Sequence, residues 1–541
     1  MDRCPTLVIA GAHSGVGKTS LALALARALA RRGLKIQTFK VGPDFLDPTY
    51  LALASGRPCY NLDGWMAGRE HVCRLFERAT ADADCALVEG VMGLFDGADA
   101  ESDAGSTAET ARWLNAPVLL VVGVHGMARS LAALVKGFAG FDPELRFRGA
   151  IANHAGSERH ADWLSDSLKA AGLPPLLGAL PRGAFPELTS RHLGLVTADE
   201  RLLPDAVLDS LADALERHCP LEAFFPEMLA KSISPLSASA SGKIGTAPYY
   251  YHTTSPAATP ADRSRSGKLG KPGTAPYFPP TREKLETTSN FNTNFPADTP
   301  VCRPRQEMLF PPLPSIAAGR LGTDRPPARL KIGVAKDAAF HFYYRDLFDA
   351  LAEAGCETVF FSPLSDRWLP EGISGLYLGG GYPEAHAAAL AANAGMLASI
   401  REYANSGRPL YAECGGLMYL SEGIEAGGLY YPLLGTLPAR TRMLGVKKAL
   451  GYVEVALTED SLWGRRGDIF RGHEFHYSEL CGDPAADPAW RAVYALRRQR
   501  SGAIEAEGFQ KGAILASYTH LYYGSRPAAI EHFLNRCGGG S

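Results

Sequence analysis

The sequence predicts an α/β protein: a parallel-sheet domain followed, across a long disordered linker, by a second α/β domain. Three observations carry this expectation. The 541 residues exceed what one hydrophobic core normally serves. Short apolar runs alternate with longer amphipathic ones up to about residue 220, and again from Leu330. That is the pattern of strands and crossover helices in a mostly parallel sheet covered on both faces. Between the two regions the composition turns to Ser, Thr, Pro and Gly.

In chain order, TLVIAG, KIQTFKVG, CALVEGVMG, APVLLVVG, RGAIANH and PPLLGALP read as buried strands. The run SLALALARALARRG between the first two is rich in alanine and leucine and reads as a helix that Gly33 stops. These elements set a first domain over 1–227. Residues 228–328 contain the near-repeat SGKIGTAPYYY and SGKLGKPGTAPYF. Such a composition buries too little apolar surface to offset chain entropy, so the segment is expected to be disordered. The runs KIGVAKD, ETVFFSP, GLYLGGG and RPLYAEC are again strands, separated by helical stretches such as FYYRDLFDALAEAG. They set a second domain over 329–537, and the final CGGGS reads as a frayed end.

Hydrophobic residues at 46% and charged residues at 21% are ordinary for a soluble globular chain. A net charge of −2 gives no electrostatic reason to expect nucleic acid or an anionic membrane as partner. No stretch reaches the ~18 apolar residues of a membrane span, and the N-terminus lacks a signal-peptide cleavage pattern. Ten cysteines are scattered without a C-x-x-C pair. That argues for reduced thiols rather than a zinc site or a disulfide framework, and the expected setting is cytoplasmic.

The stretch GAHSGVGKTS (11–20) is a glycine loop between a strand and a helix, the setting in which backbone N–H groups cradle phosphates. Its spacing departs by one residue from G-x-x-x-x-G-K-[ST]: Ala12 stands where the first glycine belongs. Gly11, His13, Ser14, Gly15, Val16, Gly17, Lys18, Thr19 and Ser20 are the expected nucleotide contacts. Lys18 would neutralise phosphate charge, and the Thr19 hydroxyl would ligate Mg²⁺. Further polar groups belong at the carboxyl ends of neighbouring strands. KVGPDFLDP (40–48) offers Lys40, Asp44 and Asp47, and LVEGVMGLFDG (87–97) offers Glu89 and Asp96. Asp44 and Glu89 are the expected metal carboxylates beside Thr19; Lys40, Asp47 and Asp96 complete the nucleotide and substrate contacts.

In the second half, LYAECGGLMYL (410–420) reads as strand, cysteine, two glycines and helix, a nucleophile elbow. The helix N-terminus is expected to lower the Cys414 thiol pKa. The triple glycine of GLYLGGGYPE supplies Gly380 and Gly381, which with Gly415 could form an oxyanion hole. ILASYTHLYYG places His520 near the end of a late strand, where a general base is wanted. His473 and His476 of RGHEFHYSE are three apart, but no third ligand has matching spacing, so packing or an interface contact is the better reading.

Together these motifs carry a resemblance. The loop with one extra residue between Gly11 and Gly17 is similar to that of dethiobiotin synthetase and its relatives. GAHSGVGKT, KVGPDFLDP, VEGVMGLFDG and SRHLGLV (190–196) resemble the cobyrinic acid a,c-diamide synthases of the corrin pathway. The Cys414 elbow resembles that of class I glutamine amidotransferases. Many of those carry His-x-Glu, whereas Tyr522 stands two residues after His520, so what orients His520 is open. The resemblance implies a P-loop amidoligase domain plus a class I glutamine amidotransferase domain. It further implies ATP and Mg²⁺, L-glutamine as nitrogen donor, and cobyrinic or hydrogenobyrinic acid as the substrate amidated through acyl phosphates. A homodimer is allowed for. A nickel-sirohydrochlorin a,c-diamide synthase is the sister alternative. From another class, a partition or assembly ATPase with an idle second domain is the contrast, but His13 occupies the place of its signature lysine.

Overall fold

The computed structural model describes residues 4–186, 204–226 and 330–539. The expected disordered linker over 228–328 and the SRHLGLV motif lie outside the described residues. In the first half, seven strands form one parallel sheet. They are β1 (Thr6–Gly11), β2 (Ile36–Val41), β3 (Tyr60–Leu62), β4 (Cys85–Glu89), β5 (Val118–Gly123), β6 (Phe147–Ala155) and β7 (Leu176–Pro181), in spatial order β3-β2-β4-β1-β5-β6-β7. The short strand β3 is absent from the sequence reading. Because β1 lies between β4 and β5, its carboxyl end opens into a crevice flanked by the ends of both neighbours.

The helix Lys18–Arg31 is buried on nearly every face from Leu21 to Leu29. An apolar helix of that kind needs cover on two sides, and it has the sheet beneath it and the helix Asp205–His218 above. Arg27 and Arg31 reach Asp209 and Asp213 on that covering helix at 2.7 and 2.6 Å. Gly33 (φ 80°) ends the turn in the left-handed region, as the sequence suggested.

The second half is a ten-stranded sheet. Five strands are parallel, in spatial order β9 (Glu357–Phe361), β8 (Lys331–Ala335), β10 (Gly375–Leu378), β11 (Leu410–Glu413), β20 (Ile514–Ser517). The sheet continues antiparallel through β19 (Ile504–Lys511), β18 (Arg491–Arg498), β15 (Ala449–Leu457) and β16 (Ile469–His476) to β21 (His520–Leu521). Only Tyr518 and Thr519 separate β20 from β21 in the chain, yet four strands lie between them in the sheet. The antiparallel half must therefore curl back on itself, and His520 sits at that closure, paired with His473. A side sheet of four strands completes this half: β12 (Gly423–Ala426), β13 (Leu429–Pro432), β14 (Arg440–Met443) and β17 (Ser478–Cys481).

The two halves belong to one compact unit. Their contact has an apolar centre in which Phe45, Val41 and Leu62 of the first half meet Phe342, Tyr344, Tyr382 and Tyr522 of the second. A polar border surrounds it: Tyr60 donates to Asp349 (2.8 Å), Tyr452 to Asp63 (2.8 Å), and Arg471 to the Trp65 carbonyl (2.9 Å). No described helix is long and apolar enough to cross a membrane.

Candidate active site

The loop after β1 has the backbone a phosphate cradle requires. Gly15 (φ 78°) and Gly17 (φ 101°) take left-handed conformations that turn successive N–H groups toward one side. A Cβ on Gly11 would stand 2.7 Å from Val16 Cγ1 and 3.0 Å from Lys18 Nζ, so the first glycine is required by close approach. The tip, His13 to Gly15, is exposed, while Val16 and Lys18 are buried and Ser20 is half-buried in the first helical turn. Asn153 at the end of β6 donates to the Val16 carbonyl (2.9 Å) and braces the loop from behind.

Lys18 Nζ is held by the carbonyls of Met92 and His13. Met92 adopts φ 45°, rare for a residue with a side chain, and this turn aims its carbonyl at the ammonium. Burial, with Lys40 nearby, pulls the Lys18 pKa down to about 8, partly offset by Glu89, Asp47 and Asp96. Among the described residues the ammonium has no carboxylate within ion-pair distance, and an incoming phosphate would supply a counter-ion.

Behind the loop, four expected site residues form one hydrogen-bonded row. Thr19 Oγ1 donates to Glu89 Oε1 (2.6 Å), Lys40 Nζ donates to the same oxygen (2.9 Å), and Lys40 meets Asp47 Oδ2 at 2.7 Å. The β2–β4 register sets this up by placing Lys40 directly opposite Glu89. Lys40, Asp47 and Glu89 are each at most 4% exposed. Burial disfavours the Lys40 charge, but Asp47 and Glu89 outweigh it and raise the pKa above its ordinary value. Burial pushes Glu89 up to about 7 against the pull of Lys40. Asp44 stands just outside the row: its Oδ1 accepts from the N–H groups of Leu46 (2.8 Å) and Asp47 (2.9 Å), fixing the start of the helix Asp47–Ser55. Asp96 is exposed and its Oδ2 accepts from the Gly93 N–H (2.7 Å), shaping the loop that carries Met92.

In the second half, Cys414 has φ 50° and ψ −102°, the strained turn expected of an elbow, between β11 and the helix Gly415–Leu420. Its N–H donates to the Ser517 carbonyl (2.7 Å), tying the elbow to the strand whose continuation presents His520. Small neighbours are obligatory. A Cβ on Gly416 would lie 2.0 Å from the Leu378 carbonyl oxygen, and one on Gly415 would lie 3.0 Å from the Gly381 nitrogen. The Gly415 and Gly381 backbones thus adjoin, as an oxyanion hole shared between them requires. A Cβ on Gly380 would stand 2.4 Å from His520 Cε1 and 3.3 Å from Nε2, so that glycine lets the imidazole edge reach the same turn.

Glu413 orients the imidazole. Its Oε1 lies 2.7 Å from His520 Nδ1, and its Oε2 accepts from the Tyr411 hydroxyl (3.0 Å). His520 is 1% exposed and Glu413 3%. Burial lowers the His520 pKa to about 3 and raises Glu413 to about 8, the latter against hydrogen bonds from Tyr411 and Tyr377. Tyr522 faces elsewhere: its hydroxyl donates to Asp346 and meets His71 Nε2 at 3.1 Å, across the contact between the halves.

One expectation is overturned. The Cys414 thiol is pushed up, not down: burial dominates, Glu413 and Glu384 add to it, and only the Gly415 N–H opposes. A helix of six residues contributes too little at its N-terminus to outweigh a fully enclosed, carboxylate-flanked site. The two β16 histidines make ring contacts, in keeping with the reading as packing or interface groups. His473 stacks on His520 (5.0 Å, 17°) and hydrogen-bonds Tyr344 (3.0 Å), and His476 stacks on Tyr518 (4.2 Å, 11°).

Glu413 and Phe45 are the site residues that sequence reasoning missed. A lone carboxylate ending the apolar strand LYAE was the available signal for Glu413. For Phe45, an aromatic within the acidic loop GPDFLDP gave no such sign.

Fold and sites together define a glutamine amidotransferase domain joined to a P-loop nucleotide-binding domain. Residues 7–196 match the CobQ/CobB/MinD/ParA nucleotide binding domain family, and residues 331–528 match the CobB/CobQ-like glutamine amidotransferase domain family. The chain is 48% identical over 539 residues to the cobyrinate a,c-diamide synthase of Syntrophotalea carbinolica, covering 99% of this chain and 100% of the relative. It is 38% identical to the cobyrinate a,c-diamide synthase of Leptospira interrogans serovar copenhageni, covering 99% of each chain. It is also 38% identical to the hydrogenobyrinate a,c-diamide synthase of Streptomyces coelicolor, covering 98% of this chain and 97% of that one. The chain belongs to the cobyrinate/hydrogenobyrinate a,c-diamide synthase family.

Proposed function

We propose that the protein uses ATP and L-glutamine to convert the a and c acetate carboxylates of cobyrinic or hydrogenobyrinic acid into amides, in cobalamin biosynthesis. Full-length similarity to synthases of that name supports the substrate class. The observation that carries the chemistry is the pairing, within one compact unit, of a phosphate loop backed by the Thr19–Glu89–Lys40–Asp47 row and a cysteine elbow backed by His520 and Glu413.

A carboxylate is inert to ammonia because its oxygen is a poor leaving group. Attack of that oxygen on the terminal phosphorus of ATP bound in the loop breaks the bond to ADP and leaves an acyl phosphate. Ammonia then adds to the acyl carbon, phosphate departs with one original carboxylate oxygen, and the nitrogen loses a proton. Lys18, freed from the Met92 carbonyl, would offset the charge developing on the transferred group. Mg²⁺ fits the residues present: Glu89 Oε2 is buried without a hydrogen-bond partner, beside the Thr19 hydroxyl, and hard cations take oxygen ligands. No described cluster of three or more His, Cys, Asp or Glu forms a metal cage, so phosphate and water would complete the shell. When bound, the cation would neutralise phosphate charge. Lys40, locked between two carboxylates, keeps Glu89 and Asp47 in place.

At the other site His520 Nε2 takes the Cys414 proton as sulfur attacks the glutamine amide, with the Gly381 and Gly415 N–H groups facing the developing oxyanion. The departing ammonia receives that proton and leaves a thioester, which water then hydrolyses to glutamate.

Replacing glutamine with ammonium separates the sites. Cys414→Ala is expected to lose glutamine-dependent amidation and keep ammonium-dependent amidation, whereas Lys18→Ala loses both. Ammonium-dependent amidation persisting in Lys18→Ala would remove the phosphate loop from the reaction.

A further inference from the structure

We infer that Glu384 holds the α-ammonium group of L-glutamine at the cysteine elbow, and so restricts that site to an amide carried on an amino acid. The inference rests on the two-site reading above and adds the group that recognises the nitrogen donor. Glu384 lies in the short helix Pro383–His386, three residues after Gly381 of the oxyanion turn. That helix packs on the start of the elbow helix: a Cβ on Gly415 would stand 3.0 Å from Pro383 Cδ as well as from the Gly381 nitrogen. Glu384 is half-buried there, whereas Glu413 is sealed off from solvent.

Besides burial, three carboxylates lie near enough to the nucleophile to raise its thiol pKa: Glu413, Glu384 and Glu474. Two of them are matched within the protein. Glu413 meets His520 Nδ1 at 2.7 Å and the Tyr411 hydroxyl at 3.0 Å, and Glu474 pairs with Arg498. Glu384 differs: among the described residues no Lys, Arg or His lies within ion-pair distance of its carboxylate, and no side chain donates to it. Burial pushes it up to about 7, opposed by its own backbone N–H. A cation arriving beside it would relieve that cost and keep it ionised. L-Glutamine brings one. With the amide oxygen at the Gly381 and Gly415 N–H groups and the amide carbon at the Cys414 sulfur, the α-nitrogen lies four bonds away, about 5 Å in an extended chain. The helix bearing Glu384 begins beside both oxyanion glycines and its charge reaches the thiol, so the acid borders the space that this chain would occupy. It would hold the end of the donor that does not react, so its contribution falls on binding more than on the chemical step.

The test uses the full-length protein with ATP and the macrocyclic acid present. It measures glutamate released from L-glutamine and glutarate released from glutaramate, the same molecule without the α-amino group. The native chain is expected to favour glutamine in kcat/KM by roughly 10- to 150-fold, the range of a hydrogen bond to a charged group. Glu384→Gln is expected to bring that ratio to within about threefold of one, by raising the KM for glutamine more than it lowers kcat. Glu384→Asp, which keeps the charge on a shorter stem, should recover part of the preference. Because nothing described in the free protein pairs with this carboxylate, Glu384→Gln should not lower the thermal midpoint. Should it nevertheless fold poorly, Glu384→Ser reads the same ratio. An unchanged ratio in Glu384→Gln or Glu384→Ser overturns the inference, as does a native chain that cleaves both amides equally well. A lowered midpoint with equal losses for both amides would make Glu384 a structural acid and overturn it too. A native chain that hydrolyses neither amide overturns the two-site reading itself.

Discussion

Above about pH 8, where Glu413 is ionised, Glu413→Gln removes one charge and almost no volume from the glutaminase. In the native chain the Glu413 carboxylate stands 2.7 Å from His520 Nδ1 with both groups nearly enclosed, so little water competes for either. A hydrogen bond to a charged group contributes about 1.5–3 kcal/mol net. In the proposed mechanism its benefit grows as His520 takes the Cys414 proton, because the imidazolium would then form beside the carboxylate. With about 1.4 kcal/mol per factor of ten, the loss in glutamine-dependent kcat should be roughly 10- to 150-fold. The amide oxygen of the substituted side chain would still accept from Nδ1, which keeps the imidazole oriented and the fold intact. The assay is glutamate release at saturating glutamine, with ammonium-driven amidation by the same preparation as the internal control. Full retention of the ammonium reaction beside the loss with glutamine is the expected pattern. A glutaminase loss of less than about threefold, or an equal loss of the ammonium reaction, would refute the orienting role.

Three further outcomes follow from the same geometry. Glutamine hydrolysis should rise with pH through about 8, because burial holds the proton on Glu413 up to that pH and only the carboxylate can accept from His520 Nδ1 with full charge; a pH–rate profile in which Glu413→Gln keeps the same limb would contradict this. Gly381→Ala should abolish glutaminase, since φ is 154° there and the added Cβ would lie 2.1 Å from the Ala339 carbonyl oxygen, a backbone atom that cannot swing aside; ammonium-driven amidation is the control. Lys40→Met should destabilise the protein by about 3–5 kcal/mol, because it leaves Asp47 and Glu89 buried and facing each other without their cation. Thermal unfolding should then fall by roughly 3–6 °C, and an unchanged midpoint would mean that Lys40 is not their counter-charge.

What the sequence made legible was local in the chain. GAHSGVGKTS and YAECGGLM each place a glycine turn between a strand and a helix within ten residues, and the structure builds both as read. The alternation of KIQTFKVG and CALVEGVMG with helices was enough to identify most of the parallel strands, though not their order in the sheet. The antiparallel strands β12 to β19 were not read as a group, because half-buried strands such as RAVYALRR carry little uninterrupted apolar signal. Partners far apart in the chain were also invisible: Glu413 and His520 are 107 residues apart, and Phe45 meets His520 only because the two halves dock. The direction of the Cys414 shift went wrong for a related reason. Sequence shows the helix that follows the thiol, but not the walls that exclude water from it.

The acyl phosphate is the step on which the linkage of the two sites depends, and oxygen labelling reaches it most directly. The macrocyclic acid is prepared with oxygen-18 in its carboxylates, incubated with ATP, glutamine and the protein, and the released phosphate is analysed by mass. One labelled oxygen should appear in phosphate for each amide formed, with the other retained in that amide. Amide formation accompanied by unlabelled phosphate would contradict the proposed chemistry.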